Sequence, residues 1–373
     1  MNAFKDIYFA FSGRRVLVTG STGFKGSWLC LWLKHMGSNV LGLGLEPPSI
    51  PSMHDALRLN EVVRHERVDI RSLNQLEKQV QKFQPEIVLH LAAQALVRPS
   101  YESPIITLET NIMGTAHLLE ACRKCPSVRA VLIVTSDKCY RNNEWVWGYR
   151  ENDPMGGHDP YSASKGCAEL VTMSYIKSFF GLNEYGTSHH VAVGSARAGN
   201  AIGGGDWGKD RLIPDCFRAL HDNKPIHIRY PSAVRPWQHV LECLSGYLQL
   251  AAKLYVEGPQ YGCGWNFAPI DMGDIWPVEK IVRRICALWG NGTYVVDKDA
   301  QPHEAHMLRL DCTKANIELG WRPRYKVAEA LNVTVDWYRA WSANPAPGHM
   351  REVTLRQIDA YAAAQTVVND GVA

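Results

Sequence analysis

The chain has 373 residues, of which 46% are hydrophobic, so it is long enough for a large core and for one or two domains. Its net charge of +3, spread along the chain without a basic run, excludes a surface built for nucleic acid. No stretch approaches the roughly 20 apolar residues of a membrane span, and the ten cysteines form no paired framework. These features predict a soluble protein of the cytoplasm.

The first half alternates short apolar strands with helices. Arg15–Thr19 is predicted to be a strand, and apolar residues at helical spacing from Thr22 onward predict a helix that stops at Gly37. Further predicted elements are strands at Val40–Leu45, before Asp69, at Glu86–Leu91 and at Ala130–Thr135, with a helical segment over Asn111–Cys122. This order predicts an α/β fold with a Rossmann-type, doubly wound parallel sheet and helices on both faces.

The second half is less regular. Loops that shape a pocket are predicted for Ala198–Asp210, Pro225–Pro236 and Trp265–Pro269, and supporting helices for Val240–Tyr255 and Val278–Trp289. We expect a Rossmann domain over residues 1–190 and, over residues 191–373, a smaller C-terminal substrate-binding lobe interleaved with the first domain.

Three glycines directly after the apolar run Val16–Val18 predict a dinucleotide site. Gly20, Gly23 and Gly26 have G-x-x-G-x-x-G spacing, which lets the backbone turn sharply and approach a pyrophosphate at a helix N-terminus. The pattern follows a strand and opens a helix in the first β-α-β unit, which favours a cofactor site over a merely structural turn.

The end of the second strand bears on the choice between NAD and NADP. An acid normally stands there to bind the ribose hydroxyls of NAD, whereas this chain has Gly44, with Glu46 two residues later. The pattern favours NAD over NADP, and Glu46 is a candidate ligand of the ribose hydroxyls. Asp69 and Ile70, after the next strand, are candidate adenine contacts, although Asp69 is also typical of a solvated turn.

Tyr161 and Lys165 lie four residues apart, so a helix places both side chains on one face. A tyrosine ordinarily has a pKa of about 10. A neighbouring positive charge, such as that of Lys165, lowers this pKa and lets the tyrosine take a proton from an alcohol near neutral pH. Ser136, at the end of the fourth strand, is placed to hydrogen-bond the same alcohol. Together with the glycines, these residues predict redox chemistry on an alcohol or ketone rather than a packed surface pair.

The chain resembles the extended short-chain dehydrogenase/reductases and, within them, the family of CDP-glucose 4,6-dehydratases. The resemblance covers nearly the whole chain and rests on TGFKGSWL, KCYRNNEWVWGYRENDPMGGHDPYSASKGCAEL, ARAGNAIGGGDWGKDRLIPD and RPWQHV. Sibling dehydratases of dTDP-glucose carry Thr-Asp-Glu where this chain has Ser136-Asp137-Lys138. The chain departs from the family pattern at Ser21, where a histidine is usual, and at Ala163, where an asparagine is usual.

The resemblance implies an internal redox cycle with NAD. C4 of CDP-glucose is oxidised, water leaves across C5 and C6, and the hydride returns to C6, giving CDP-4-keto-6-deoxyglucose for a deoxysugar of a polysaccharide. Asp137 and Lys138 are the implied acid and base of the elimination, in either order, and their opposite charges are expected to keep both ionised. The implied cofactor residues are Gly20, Thr22, Gly23, Phe24, Lys25, Gly26, Asp69, Ile70, Leu91, Ala92, Ala93, Tyr161 and Lys165.

Substrate binding is assigned by the same resemblance. Asn200, Arg211 and Arg235 lie in segments that match the family's substrate loops, and Arg309 is a further candidate. Arginines suit a diphosphate because they donate two hydrogen bonds at once; the alternative, a surface salt bridge, is less favoured for Arg211 and Arg235 and equally favoured for Arg309. A homo-oligomer, dimer or tetramer, is expected by analogy.

Other functions stay open at this point. A dTDP-glucose 4,6-dehydratase or a nucleotide-sugar 4-epimerase would keep Tyr161 and Lys165, but an epimerase has no need of the Asp137–Lys138 pair. A non-catalytic dinucleotide sensor usually loses the tyrosine or the lysine. No metal site is expected, because Cys122 and Cys125 form a C-x-x-C without a second pair of ligands.

Overall fold

The computed structural model describes residues 3–269, 276–297 and 308–364. Its strands are β1 (Arg15–Thr19), β2 (Asn39–Gly44), β3 (Arg64–Arg67), β4 (Ile87–His90), β5 (Ala130–Val134), β6 (Ala192–Ala198), β7 (Ala201–Ile202), β8 (Ile226–Ile228), β9 (Gln238–His239), β10 (Gly264–Phe267) and β11 (Tyr294–Val296). Its α-helices are α1 (Ala3–Phe11), α2 (Phe24–His35), α3 (Met53–Ala56), α4 (Leu73–Phe83), α5 (Val97–Glu102), α6 (Pro104–Leu108), α7 (Gly114–Arg123), α8 (Pro160–Phe179), α9 (Leu212–His221), α10 (Val240–Glu257), α11 (Val278–Trp289), α12 (Val327–Ala343) and α13 (Pro347–Ala363).

Seven parallel strands form the central sheet in the order β10-β6-β5-β4-β1-β2-β3. The chain runs outward from β1 through β2 and β3, then crosses to β4 and continues outward through β5 and β6, which makes the sheet doubly wound. The crossing between β1 and β4 is the switch point at which ligands bind in such sheets, and Thr19 there lies opposite His90. The predicted Rossmann-type sheet is confirmed.

The sheet separates two hydrophobic cores, because successive side chains of a strand point to opposite faces. In β1, Val16 and Val18 belong to one core, which also holds side chains of α1, α2, α10, α12 and α13. Leu17, between them, belongs to the other core, with α4, α7 and α8. Helices therefore cover both faces, as the strand pattern predicts.

Local capping fixes where α8 begins. Pro160 occupies its first turn, where a missing N–H costs nothing, and the side chain of Asp159 accepts a hydrogen bond from the Ser162 N–H at 2.9 Å. The helix therefore starts immediately before Tyr161, so that Tyr161 and Lys165 both lie at its N-terminal end beside the sheet.

The prediction of a loop over Trp265–Pro269 is wrong in its first half. Residues Gly264–Phe267 form β10, which pairs in parallel with β6 and completes one edge of the central sheet. The segment lacks β-branched residues and lies between a glycine and a proline, so its local pattern is that of a loop. Burial of the whole segment against β6 decides its conformation.

The proposed boundary at residue 190 stays a prediction, and β6 and β10, both beyond it, are strands of the central sheet. No helix in the described ranges is long and apolar enough to cross a membrane.

Candidate functional site

The turn between β1 and α2 brings two stretches of backbone into contact. Gly20 has a φ of +73°, and a Cβ there would lie 2.6 Å from the backbone nitrogen of Ala92, just after β4. A Cβ on Gly26 would overlap the carbonyl oxygen of Gly20. Only glycine fits at these two positions, so the turn is as tight as the sequence pattern predicts.

The N-terminus of α2 fits an anionic group. Its N-cap is Gly23, which provides no side-chain hydrogen bond to the first turn, so N–H groups of that turn are left for another partner. A helix N-terminus with exposed N–H groups attracts negative charge, and a dinucleotide presents a pyrophosphate. The glycine cradle and this helix end therefore suit a dinucleotide, with Thr22, Phe24 and Lys25 beside them.

The glycine at the end of β2 has a steric reason. A Cβ on Gly44 would lie 2.8 Å from the Thr22 hydroxyl oxygen, so an acid at this position would displace Thr22. Glu46, the alternative ribose ligand, forms a 3.1 Å ion pair with Arg67 in which both side chains are 72% exposed. Such exposed pairs are weak, so Glu46 can exchange Arg67 for another partner, and its role as a ribose ligand stays a prediction.

The candidate adenine contacts lie after β3. Both carboxylate oxygens of Asp69 accept hydrogen bonds from Arg71, and these bonds lower the pKa of Asp69. The side chain of Ile70 is buried in the core beneath α7, and its carbonyl oxygen lies 3.2 Å from the His117 ring. Asp69 thus has the contacts of a structured turn, and adenine binding here stays a prediction.

Tyr161, Lys165 and Ser136 converge at the ends of β5 and α8. Tyr161 is 8% exposed, and its burial raises its pKa to about 12, although hydrogen bonding to Ser136 and the charge of Arg211 lower it. The Lys165 ammonium donates to the carbonyl oxygen of Val134 at 3.4 Å, and burial together with the charge of Lys25 lowers its pKa to about 8. Burial therefore outweighs the stabilisation of the phenolate by Ser136 and Arg211, and the stabilisation that the sequence assigns to Lys165 stays a prediction.

The adjacent Asp137 is almost fully buried, with 3% exposure, and its carboxylate accepts a hydrogen bond from the Ser136 hydroxyl at 2.9 Å. Burial raises the pKa of Asp137, and the charges of Lys138 and Lys25 offset only part of this effect. Desolvation thus outweighs the attraction between the two charges at Asp137, and the expectation that both residues are ionised stays a prediction. A raised pKa makes a buried carboxyl group better suited to donate a proton than an exposed carboxyl group is.

A buried ion pair between Glu169 and Arg197, which sequence reasoning missed, lies next to this site. Glu169, one turn beyond Lys165 on α8, accepts from Arg197 at 2.8 Å, from the Ser195 hydroxyl at 2.7 Å and from Thr135. The other end of the Arg197 guanidinium donates to the Tyr140 hydroxyl at 2.7 Å. The sequence signal for such a pair was Arg197, the one charged residue of β6, whose other side chains are small or apolar.

His90 is a second residue that the sequence reasoning missed. Its ring lies 2.7 Å from the Thr19 hydroxyl and 3.3 Å from the Thr115 hydroxyl, so it links the ends of β1 and β4 to α7. Burial, with the charge of Lys165, lowers the pKa of His90 to about 3, and the ring is therefore neutral at physiological pH. A histidine that ends an apolar strand was the signal here.

Of the candidate substrate residues, the structure brings Arg211 close enough to Tyr161 for its charge to lower the pKa of the phenol. Arg211 is the N-cap of α9, pairs with Asp206 at 3.1 Å and acts electrostatically on Tyr161. The backbone carbonyl of Asn200 accepts a hydrogen bond from the Gln238 N–H at 3.1 Å. The backbone carbonyl of Arg309 accepts one from the Tyr149 N–H at 2.9 Å. Arg235 donates to its neighbour Val234. For Asn200, Arg235 and Arg309, a substrate role stays a prediction.

The described residues contain no group of three or more histidine, cysteine, aspartate or glutamate side chains that could hold a metal ion. Cys122 and Cys125 are both buried and unpaired, and burial raises the pKa of the Cys122 thiol.

The fold and this site define an extended short-chain dehydrogenase/reductase of the nucleotide-sugar-modifying type. The family model described as GDP-mannose 4,6 dehydratase matches residues 17–334, and the chain belongs to that family. The CDP-glucose 4,6-dehydratase of Salmonella typhimurium is 52% identical over 355 residues, which are 95% of this chain and 98% of that protein.

Two solved structures share the fold. DesIV, a dTDP-glucose 4,6-dehydratase from Streptomyces venezuelae solved with NAD and TYD bound, matches with a TM-score of 0.73 at 24% identity, over 87% of this chain and 97% of that chain. The UDP-glucose 4-epimerase of Thermus thermophilus, solved in complex with NAD, matches with a TM-score of 0.72 at 24% identity, over 87% of this chain and 99% of that chain.

Proposed function

We propose that this chain is a CDP-glucose 4,6-dehydratase that converts CDP-D-glucose to CDP-4-keto-6-deoxy-D-glucose and water in deoxysugar biosynthesis. The observation that carries this proposal is the 52% identity, over 95% of the chain, to the CDP-glucose 4,6-dehydratase of Salmonella typhimurium. The buried set of Ser136, Asp137, Tyr161 and Lys165 provides the groups that this reaction needs.

NAD would supply the hydride acceptor and donor of this reaction, in which the sugar is oxidised at C4 and later reduced at C6. The first turn of α2 would hold its pyrophosphate, because the Gly23 N-cap leaves N–H groups of that turn uncapped, and Gly20, Gly23 and Gly26 allow the backbone to approach closely. NAD is bound in the solved structures of DesIV and of the Thermus epimerase.

The first chemical role belongs to Tyr161, which removes the proton of the C4 hydroxyl as C4 is oxidised. Because burial raises the pKa of Tyr161 to about 12, the phenolate needs local stabilisation. Ser136 supplies a hydrogen bond and Lys165 a positive charge, and Ser136 also orients the hydroxyl.

The elimination then uses Asp137 and Lys138. The C4 ketone acidifies the C5 proton, which passes to the Lys138 amine, while the C6–O bond breaks and Asp137 protonates the departing oxygen as water. Burial of Asp137 raises its pKa, which favours it as the proton donor and leaves Lys138 as the base. As C6 is reduced, Lys138 returns the proton to C5.

Substrate binding and assembly complete the proposal. Arg211, Arg235 and Arg309, with Asn200, bind the diphosphate end of CDP-glucose. The protein forms a homo-oligomer through the apolar side chains that α6 and α8 expose, which are Ile105, Ile106, Leu170 and Phe179. Its ten free cysteines suit a reducing cytoplasm.

A panel of nucleotide sugars tests the proposal. The protein is incubated with NAD and, separately, with CDP-, dTDP-, UDP- and GDP-glucose, and the 4-keto product is detected by its absorbance in alkali. We expect product from CDP-glucose alone. Product from dTDP-glucose instead would make the chain a dTDP-glucose dehydratase, and a C4 epimer without ketone would make it an epimerase.

A further inference from the structure

The three residues Ser136, Asp137 and Lys138 form a short turn whose two flanking residues are both buried. Ser136 caps the turn, and its hydroxyl oxygen accepts from the Lys138 N–H at 3.2 Å. Thr135 directly precedes this triplet, and Tyr140 ends the turn. These two residues are only 7% and 1% exposed, so the contacts that their side chains make inside the protein decide where the triplet lies.

Both flanking side chains bind the same buried ion pair. The Thr135 hydroxyl donates to one carboxylate oxygen of Glu169, and the Arg197 guanidinium donates to the other at 2.8 Å. A second nitrogen of that guanidinium donates to the Tyr140 hydroxyl at 2.7 Å, and the guanidinium carbon lies 5.1 Å from the centre of the Tyr140 ring. The acid of the pair therefore holds the residue before the triplet, and the base holds the residue after it.

The Tyr140 hydroxyl is held from a second side by the edge of the sheet. Besides accepting from Arg197, it donates to the side-chain oxygen of Asn266 at 2.7 Å. Asn266 lies in β10 and is fully buried, and its side-chain amide donates to the backbone carbonyls of Tyr149 and Asp311 at 2.9 and 3.0 Å. Since the hydroxyl has a buried donor and a buried acceptor, hydrogen bonds as well as packing fix its position.

We propose that Thr135 and Tyr140 are positioning residues of the dehydratase reaction, which hold the two ends of the Ser136–Lys138 triplet against the buried ion pair. This inference rests on the proposed function and gives the ion pair a task beyond stability. Because the acid of the pair lies on α8, the same contacts tie the triplet to the helix that carries Tyr161.

The two anchors act on different chemical steps. Thr135 is bonded directly to Ser136, which serves the oxidation at C4, whereas Tyr140 lies two residues beyond Lys138, which serves the elimination. Loss of the Tyr140 hydroxyl releases the end of the triplet that carries Lys138, while Ser136 keeps the Thr135 anchor. A displacement of about 1 Å can cost a reaction roughly a hundredfold in rate, so release of one end slows the step that depends on it.

Two variants that each remove one hydroxyl and keep the shape of the side chain test this assignment in a single turnover with NAD and CDP-glucose. Tyr140→Phe should slow dehydration by about tenfold and leave C4 oxidation nearly unchanged, so that the absorbance of reduced nicotinamide appears at the normal rate and decays slowly. Thr135→Val should slow the appearance of this absorbance more than its decay. Thr135→Ser, which keeps the hydroxyl, should restore the wild-type ratio of the two rates.

The matched control is Tyr361→Phe. It also removes the hydroxyl of a fully buried tyrosine, but this hydroxyl donates to Glu242 at 2.7 Å and joins α13 to α10. The variant should lose stability and keep the wild-type ratio of oxidation to dehydration, because a lower stability alone does not separate the two steps.

A second measurement needs neither substrate nor cofactor. Amide hydrogen exchange, followed by mass spectrometry, reports whether residues 136–140 are released from the sheet. In Tyr140→Phe the amide protons of these residues should exchange faster than in the wild type, whereas those of α8 should stay as protected as before. A general loss of stability would instead raise exchange in both segments.

The inference is overturned if Tyr140→Phe and Thr135→Val leave the ratio of oxidation to dehydration unchanged, or if exchange in α8 rises together with that of residues 136–140. If Tyr140→Phe fails to fold, the comparison of Thr135→Val with Thr135→Ser decides by the same ratio. The proposed function fails separately, since it fails only if the wild type makes no 4-keto product from CDP-glucose.

Discussion

Glu169 and Arg197 form an ion pair of 2.8 Å in which neither side chain exposes more than 4% of its surface. The pair joins α8, which carries Tyr161 and Lys165, to β6, and it lies one helical turn beyond Lys165. The other groups that donate to the Glu169 carboxylate, from Ser195 and Thr135, are buried as well. The position of α8 on the sheet, and hence of Tyr161, depends on this pair.

Removing either partner of the Glu169–Arg197 pair should therefore lower the stability of the protein. Glu169→Gln leaves the Arg197 charge buried without a counter-charge, which is expected to lower the free energy of unfolding by about 3 to 5 kcal/mol. Urea denaturation measures the change. The control is Glu66→Gln, which breaks an exposed 2.9 Å pair with Arg64 and should cost less than about 1 kcal/mol. Similar losses in both variants would contradict the structural role of the buried pair.

The glycine cradle makes a prediction about cofactor binding. Gly26→Ala places a methyl group against the Gly20 carbonyl, which forces the turn open and displaces the N–H groups that would hold the pyrophosphate. We expect at least a tenfold loss in NAD affinity by calorimetric titration, equivalent to about 1.4 kcal/mol. Gly348→Ala, on α13 with no atom near the added Cβ, is the control and should bind NAD as the wild type does.

The regular elements of the sheet could be predicted because their signals are local. β1 and α11 have the predicted bounds, and α2 ends where Gly37 stops the helical pattern. β10 could not be predicted in this way, since its conformation is decided by pairing with β6, a strand that is distant in the chain.

Lys138 is expected to act in only one of the two chemical steps. In Lys138→Ala, C4 oxidation should persist, because Tyr161, Ser136 and Lys165 are intact, whereas dehydration should slow by roughly a hundredfold or more for loss of a general base. Oxidation is followed by the near-ultraviolet absorbance of reduced nicotinamide in a single turnover, and dehydration by the 4-keto product. An equal loss in both steps would contradict the assignment.

The burial of Glu242 leads us to expect a pH dependence of stability that is separate from catalysis. Its buried carboxylate accepts from the Tyr361 hydroxyl and from the N–H groups of Arg324 and Tyr325, and burial raises its pKa from 4.5 to about 7. Between these two pH values the folded protein keeps a proton that the unfolded chain releases, so the free energy of unfolding falls as pH rises through this range.

The isosteric variant Glu242→Gln isolates this effect. Its stability relative to the wild type should improve by roughly 3 kcal/mol as pH rises from 4.5 to 7 and then stay constant. Urea denaturation of both proteins on each side of this range measures the difference. A difference that does not change with pH would show that the pKa of Glu242 is the same in the folded and the unfolded protein.

The residues of the site, like the elements of the fold, divide into those that a local sequence pattern predicts and those that depend on contacts between distant parts of the chain. Gly20, Tyr161 and Ser136 could be assigned from sequence, because each belongs to a short pattern at the end of a strand or the start of a helix. The contact of Lys25 with Tyr247 could not, because it joins residues 222 positions apart that no local pattern connects. The direction of the pKa shift of Asp137 also depends on burial, which neighbouring charges in the sequence do not reveal.

The transfer of deuterium within one sugar tests the central claim most directly. CDP-glucose carrying deuterium at C4 is converted by the enzyme with unlabelled NAD, and the product is analysed by nuclear magnetic resonance. An internal redox cycle predicts that the deuterium is recovered at C6 of the 4-keto-6-deoxy sugar. Deuterium retained at C4 of a hexose, or lost from the sugar altogether, would contradict the proposed dehydratase.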